Sequence, residues 1–209
     1  EMCIRDRLWL GDTPLVLASG SATRFALLTA AGIPVEVMRP DVDERAIADP
    51  QEAHGVAADL IARSLAHAKA LAVSKKALDR IVIGADQTLS LGKALLHKPV
   101  DRNSAADQLL RLSGRTHRLH SAVVIARSSK TIASFVGTAK LTMRHLSPTM
   151  IASYLDAAGE GVTESVGGYQ LERLGIHLFR QITGEHSAIL GLPMLETLAQ
   201  LRRLGLVAE

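Results

Sequence analysis

Short apolar runs bounded by turn residues alternate with helical repeats along most of this chain. Leu15-Val16-Leu17-Ala18 after Pro14 is an unbroken apolar run and predicts a buried strand over 14–18. Ser19-Gly20-Ser21 interrupts it, and a helix is expected over 22–31, closed by Gly32 and Pro34. A short strand over 35–38 and a charged loop over 39–44 come next. Leu60, Ile61, Leu65, Ala68, Leu71 and Ala72 recur at helical spacing, which predicts one long helix from Gln51 to Ser74 with these residues on its apolar face. Ile81-Val82-Ile83 is β-branched and reads as a second buried strand.

That strand runs into Gly84-Ala85 and then presents a carboxylate, Asp86. If Gly92 and Lys93 form a two-residue hairpin loop, Leu91 faces Ala94, and Gln87 faces Lys98. Asp86 then lies beside the Lys98-Pro99 end of the return strand, an acid and a base at a strand exit, where open α/β sheets build their crevices. The small Gly84 and Ala85 are expected to leave open space for a ligand beside the carboxylate. The plainer alternative is a surface ion pair at a hairpin base.

Farther along, helices are expected over 103–112, over 148–157 behind Ser147 and Pro148, and over 193–204. Strands are expected over 121–126 and 131–143, and a glycine-rich loop over 159–168. Strands alternate with helices at first and then cluster, so the fold class is α/β with a mixed sheet and flanking helices.

Composition narrows the picture. Of 209 residues 47% are hydrophobic but only 3% aromatic, which suits an α/β interior. No apolar run reaches membrane-spanning length, so no membrane partner is expected. The net charge is +3, and scattered Lys and Arg form no basic block, so no nucleic-acid partner is expected. The start, Glu1 to Arg7, lacks the apolar core of a secretory signal and looks foreign to the rest of the chain. Residues 1–11 are set aside as a non-native or disordered segment before a single domain over 12–209. The one cysteine, Cys3, fits a reducing, cytoplasmic location.

Several groups have chemical potential. Ser19 and Ser21 stand at a strand-to-helix turn whose N–H groups attract anions, and Arg24 adds a fork suited to phosphate; plain N-capping with a solvated arginine is the alternative. Asp41, Asp43 and Glu44 form an acidic loop that would suit Mg²⁺ or Mn²⁺, or be only a solvated turn. Lys69 follows the apolar helix face, where a snorkelling lysine is the alternative. His117 and His120 lie three apart in an extended segment and point to opposite faces, so they do not share a metal. Gly167 to Glu172 offers a base pocket or a turn into a strand.

The order of these pieces is more specific than any one of them. Leu-Ala-Ser-Gly-Ser-x-x-Arg-x-x-Leu-Leu (17–28), Asp-Val-Asp-Glu (41–44), Leu-Ala-His-Ala-Lys-Ala (65–70), Gly-Ala-Asp-Gln (84–87), His-Lys-Pro (97–99), Leu-Ser-Gly-Arg-Thr-His (112–117) and Gly-Leu-Pro (191–193) together resemble the Maf family. The resemblance covers residues 14–206. It implies two lobes around a cleft, as in inosine-triphosphate pyrophosphatases. It also implies hydrolysis of a nucleoside triphosphate to a monophosphate and pyrophosphate with a divalent metal, Mg²⁺ or Mn²⁺. Asp86 would be the general base, Ser19, Ser21, Arg24, Lys69 and Lys98 would hold phosphates, and Glu44 with Asp86 would serve the metal. The family has also been linked to septum formation, so a non-catalytic nucleotide sensor in cell division is the alternative function. A homodimer is compatible with either.

Three positions bear on the base. Thr23 stands where an arginine marks the members selective for thymine and uracil nucleotides, Gln87 replaces a threonine, and Glu172 replaces a glutamine. Gln87 and Glu172 resemble the branch acting on 7-methyl-GTP, although that branch usually has an aromatic residue where Thr23 stands. A modified or non-standard triphosphate is therefore the expected substrate.

Overall fold

Seven strands form one open mixed sheet in the computed structural model, which describes residues 8–209. They are β1 (Leu15–Ala18), β2 (Val35–Val37), β3 (Val82–Leu91), β4 (Ala94–Leu96), β5 (Thr116–Arg127), β6 (Lys130–Met143) and β7 (Phe179–Thr183). Among the described residues the helices are α1 (Ala22–Ala30), α2 (Glu44–Ala53), α3 (Ala58–Ser74), α4 (Arg102–Leu112), α5 (Pro148–Ala158), α6 (His186–Ile189) and α7 (Met194–Arg203). The strand order is β2-β1-β3-β5-β6-β7, with β4 also beside β3. β1 runs parallel to β2 and β3, and every other pairing is antiparallel, so the expected mixed α/β sheet is observed.

The pairing of β3 leaves a gap that matters for the site. β1 accompanies β3 only from Val82 to Gly84, and β4 only from Leu89 to Leu91. Ala85 to Thr88 therefore have a neighbour on one side alone, where β5 pairs along the whole stretch. The sheet is split at the end of β1, and Asp86 stands in the split.

One face of the sheet carries two apolar clusters. Leu15, Leu17, Leu28, Ile83, Ile125 and Leu201 form one, and Leu89, Leu109, Leu119, Leu141 and Leu155 the other. Between them the register pair Gln87–Ser121 is polar, and this belt separates the two clusters. The other face is covered by α3, whose Ala62, Ala66 and Ala70 pack on Ala122, Val124 and Ala126. Such small residues let the helix approach the sheet closely.

Several sequence expectations need correction. The single helix over 51–74 is two helices: Gly55 adopts φ +70 and its N–H bonds to Glu52 O at 2.9 Å, a glycine stop that ends α2. The buried face of α3 is also rotated. It comprises Ile61, Ala62, Leu65, Ala66, Lys69, Ala70, Val73 and Ser74, while Leu60 is 46% exposed. β5 begins at Thr116, five residues before its expected start. β7 has no counterpart among the expected strands, being a short edge strand with mostly polar side chains. Of the segment set aside at the start, Trp9 bridges Val207, and Leu10 N–H bonds to Leu206 O at 2.9 Å. Cys3 and the rest of residues 1–7 lie outside the described residues.

Candidate active site

A cleft of about 1100 Å³ opens at the split in the sheet. Asp86 is 7% exposed there and faces α3, because alternate residues of β3 point to opposite sides. Its partner is Lys69, whose Nζ lies 2.6 Å from Asp86 Oδ1 and 2.8 Å from Glu44 Oε1. The base beside Asp86 is thus Lys69 rather than Lys98. β4 ends at Leu96, so the hairpin opens before Lys98 can pair with Gln87, and Lys98 is an exposed lysine lining the cleft.

Gly84 explains how Lys69 gets there. A Cβ at this position would lie 2.4 Å from Ala66 O and 2.6 Å from Ala70 N. The space expected for a ligand is filled by the backbone of α3, and Ala85 is wholly buried. Ordinary side chains at Gly84 would hold α3, and hence Lys69, away from the carboxylate. Burial pushes the Asp86 pKa above its ordinary value, against the pull of Lys69 and Arg24 and with a smaller push from Glu44.

Arg24 is not a solvated arginine. Its Nε donates to Gly191 O at 2.9 Å, and its Nη1 to Ser19 Oγ at 3.0 Å and to Ala85 O at 2.9 Å. The Ala85 carbonyl has no strand partner at the split, so the guanidinium replaces the missing ladder bond. Burial lowers the Arg24 pKa, opposed by Asp86 and Glu44. Ser19 Oγ also accepts from Ser21 N–H at 3.3 Å, and Ser21 caps α1 by accepting from Arg24 N–H at 3.3 Å. Both serines and Thr23 line the cleft. Arg24 Nη2 has no hydrogen bond among the described residues, so its donors remain for an anion.

Gln87 points to the opposite face of the sheet from Asp86. Its Nε2 donates to Ser121 Oγ at 2.8 Å, Ala188 O at 3.1 Å and Ile189 O at 2.9 Å. Two carbonyls facing one end of the amide fix its orientation, since only the nitrogen can donate. Ser121 Oγ in turn donates to Ala188 O at 2.6 Å. Gln87 and Ser121 thereby hold the 188–191 segment as a wall of the cleft, a role that local sequence does not announce. Glu172 is exposed and lines the cleft. Tyr169 is buried at 3% exposure, and the turn after it leads to a 3₁₀ segment (Leu174–Leu178) rather than directly to a strand.

The acidic loop resolves into two roles. Asp43 caps α2, its Oδ1 accepting from Ala46 N–H at 3.1 Å, and Glu44 opens the helix facing Lys69. Among the described residues no group of three or more His, Cys, Asp or Glu side chains converges. What does converge is one pair of carboxylates, Glu44 and Asp86, around a single ammonium. His117 and His120 do face opposite ways, His117 fully buried and His120 bonded to Ser90 Oγ at 3.0 Å and Thr138 Oγ1 at 3.1 Å. No helix among the described residues is long and apolar enough to cross a membrane.

Known proteins match this chain over nearly its whole length. The family model for Maf-like proteins matches residues 14–204. A protein of Rhodopseudomonas palustris (strain HaA2) named nucleoside triphosphate pyrophosphatase is 52% identical over 202 residues, covering 96% of this chain and 98% of the relative. A second, from strain BisB18 and with the same name, is 49% identical over 202 residues with the same coverage. A Mesorhizobium japonicum protein named 7-methyl-GTP pyrophosphatase is 47% identical over 193 residues, covering 92% of this chain and 97% of the relative.

Proposed function

The chain belongs to the Maf-like protein family, and from that membership we infer that it is a hydrolase cleaving a nucleoside triphosphate to its monophosphate and pyrophosphate. The observation that carries this reading is the buried Asp86 carboxylate in the split of the sheet, held by Lys69 at 2.6 Å beside a cleft lined with further cations. In the reaction a water oxygen bonds to the α-phosphorus, and the bond from that phosphorus to the α,β-bridging oxygen breaks. Asp86 takes the proton of the water, and pyrophosphate leaves. Phosphoanhydride cleavage depends mainly on positioning and charge neutralisation. To Lys98, the donors of Arg24 Nη2 and the start of α1 behind Ser19 and Ser21 we assign the holding of the phosphates. Lys69 positions Asp86 and supplies positive charge next to it.

Glu44 and Asp86 are the residues we assign to a divalent cation, Mg²⁺ or Mn²⁺. Two carboxylates without a third fit an ion that takes its remaining oxygens from water and substrate phosphate. When bound, the ion would neutralise phosphate charge. We assign the base to the far end of the cleft, between Glu172 and the Ile189–Gly191 wall. A carboxylate there accepts two N–H donors of a guanine edge and favours a cationic methylated ring, which supports 7-methyl-GTP, the substrate in the name of the Mesorhizobium relative. Gln87 sets that wall from behind, and Thr23 lines the cleft near the phosphate end. The same reading places the enzyme in the cytoplasm.

The test is pyrophosphate release from a panel of 7-methyl-GTP, dTTP, UTP and pseudouridine triphosphate with Mg²⁺, repeated after chelation and with Asp86→Asn. Turnover that requires the metal and falls by about 10²–10⁴-fold in Asp86→Asn is expected. Tight nucleotide binding with no turnover would instead support a sensor.

A further inference from the structure

The wall that carries Glu172 is not part of the sheet, so something else must fix it. Val166–Gly168 is a tight turn with Gly167 at φ +86 and Gly168 at φ +74, and after Gln170 the chain turns again at Leu171 and Glu172 along the cleft. The anchor of this stretch is Tyr169. Its ring packs edge-on against Phe179 of β7 with centroids 4.9 Å apart. Its hydroxyl lies 2.7 Å from Nε2 of His117, a fully buried residue of β5. The His117 ring also stands 5.6 Å from the Tyr169 ring and 5.9 Å from that of Phe179. A weaker tie, from Tyr154 Oη to Gly168 O at 3.4 Å, holds the turn just before it.

The polar atoms of this trio do not balance. His117 Nδ1 is buried and has no hydrogen-bond partner among the described residues. If Tyr169 donates to Nε2, the imidazole proton on Nδ1 is unpaired. If Nε2 donates instead, the phenol proton and the Nδ1 lone pair are both without a described partner. An apolar pair of the same shape would pack the site without leaving such an atom, since replacing both partners of a buried hydrogen bond is often near neutral. The bond therefore does something that packing alone does not: it sets Tyr169 at one height and one rotation, and the backbone of Gln170 to Glu172 follows.

We infer that His117 is a positioning residue for base selectivity, acting through the hydroxyl of Tyr169 on the wall that bears Glu172. The inference rests on the pyrophosphatase reading of the cleft and deepens it. His117 is fully buried and does not line the cleft, so its effect passes through KM and selectivity rather than the chemical step.

The experiment compares His117→Met, His117→Gln, Tyr169→Phe and the double variant His117→Met/Tyr169→Phe. Kinetics are measured on the nucleotide panel, with folding followed by thermal melts. His117→Met and Tyr169→Phe should each raise KM for the preferred nucleotide about five- to tenfold, narrow its kcat/KM advantage over the other bases by the same factor, and leave kcat within about threefold. The double variant should match either single variant, because both remove one bond. His117→Gln, which can still reach the hydroxyl, should recover most of the selectivity. Equal losses on every base, additive single effects, or a fall in kcat alone would overturn the inference. Tyr169→Phe is nearly isosteric and keeps the test open if His117→Met does not fold. Calorimetric binding of non-hydrolysable α,β-imido triphosphates reads the same selectivity without turnover. A wild type that binds these but hydrolyses nothing sinks the hydrolase reading only, and the binding ratios then decide the role of His117. A wild type that binds no nucleotide overturns both.

Discussion

Lys69 Nζ meets Asp86 Oδ1 at 2.6 Å because a residue two places before the carboxylate has no side chain. Gly84 lets the backbone of α3 rest on β3, and the helix carries Lys69 on its buried face rather than toward solvent. The ion pair is thus a product of helix-to-sheet distance. Asp86, Lys69 and Glu44 form one electrostatic unit whose behaviour can be tested piece by piece.

Gly84→Ala should separate the unit without touching its charges. The new methyl meets backbone atoms that cannot rotate away, so α3 must move. A stability loss of about 1–3 kcal/mol is expected by chemical denaturation, together with a fall in kcat/KM. Unchanged activity in a destabilised Gly84→Ala protein would show that the close approach does not set the pair.

The pH profile reports the same unit. A general base works only when deprotonated, so activity falls as pH drops through its pKa. Burial raises that pKa, which moves the acid limb of kcat/KM above the ordinary carboxylate value of 3.8. Lys69 is the largest force opposing the rise. Lys69→Met should therefore move the acid limb to higher pH as well as lower the rate. A limb that stays in place would remove Asp86 from the role of base.

Arg24→Lys keeps the charge and loses the fork. The guanidinium joins Ser19, the unpaired carbonyl of Ala85 and the carbonyl of Gly191, three points that one ammonium cannot reach together. A loss of about 2 kcal/mol in stability is expected, with KM raised because the start of α1 and the 188–191 wall lose their common tie. A lysine variant with wild-type melting and KM would mean that the fork is dispensable.

His117 predicts an acid-labile fold. Burial lowers its pKa from 6.5 to about 4, so between these values the unfolded chain binds the proton and the native one does not. The contribution is fully present above pH 6.5 and is lost as pH falls toward 4, by on the order of 3 kcal/mol in all. Denaturation of His117→Met at pH 7 and pH 5 should show a shallower loss than wild type. Burial of His120 acts in the same direction and leaves a residual slope. Identical slopes in the two proteins would place the effect elsewhere.

Glu172→Gln should change which base is preferred more than it lowers the best turnover. Removing the charge is expected to cost a cationic methylated guanine roughly tenfold in kcat/KM relative to neutral bases. Uniform loss across the nucleotide panel would contradict a base-facing carboxylate.

What the chain alone determined is what depends on near neighbours. Ser21 and Ser147 could be read as helix starts and Gly92-Lys93 as a hairpin loop because capping and turn chemistry act over two or three residues. The mixed α/β class followed from the order of such signals, and the motif order pointed to the family. Gly55 ends α2 although helical spacing of apolar residues resumes just past it, and the expected single helix over 51–74 ran through it.

Tertiary structure decided the partners. The buried side of α3 depends on which face meets alanines of β5, and that choice gave Asp86 the lysine 17 residues before it instead of the one across a hairpin. Arg24 reaches a carbonyl 167 residues away, and Gln87 spends its amide nitrogen on a wall 101 residues distant. Such pairings rest on close packing between distant segments, where the distance of a helix from a sheet or a missing strand neighbour determines which polar groups meet. Residue types can nominate a carboxylate and its cations, but only the packed fold fixes which cation holds it.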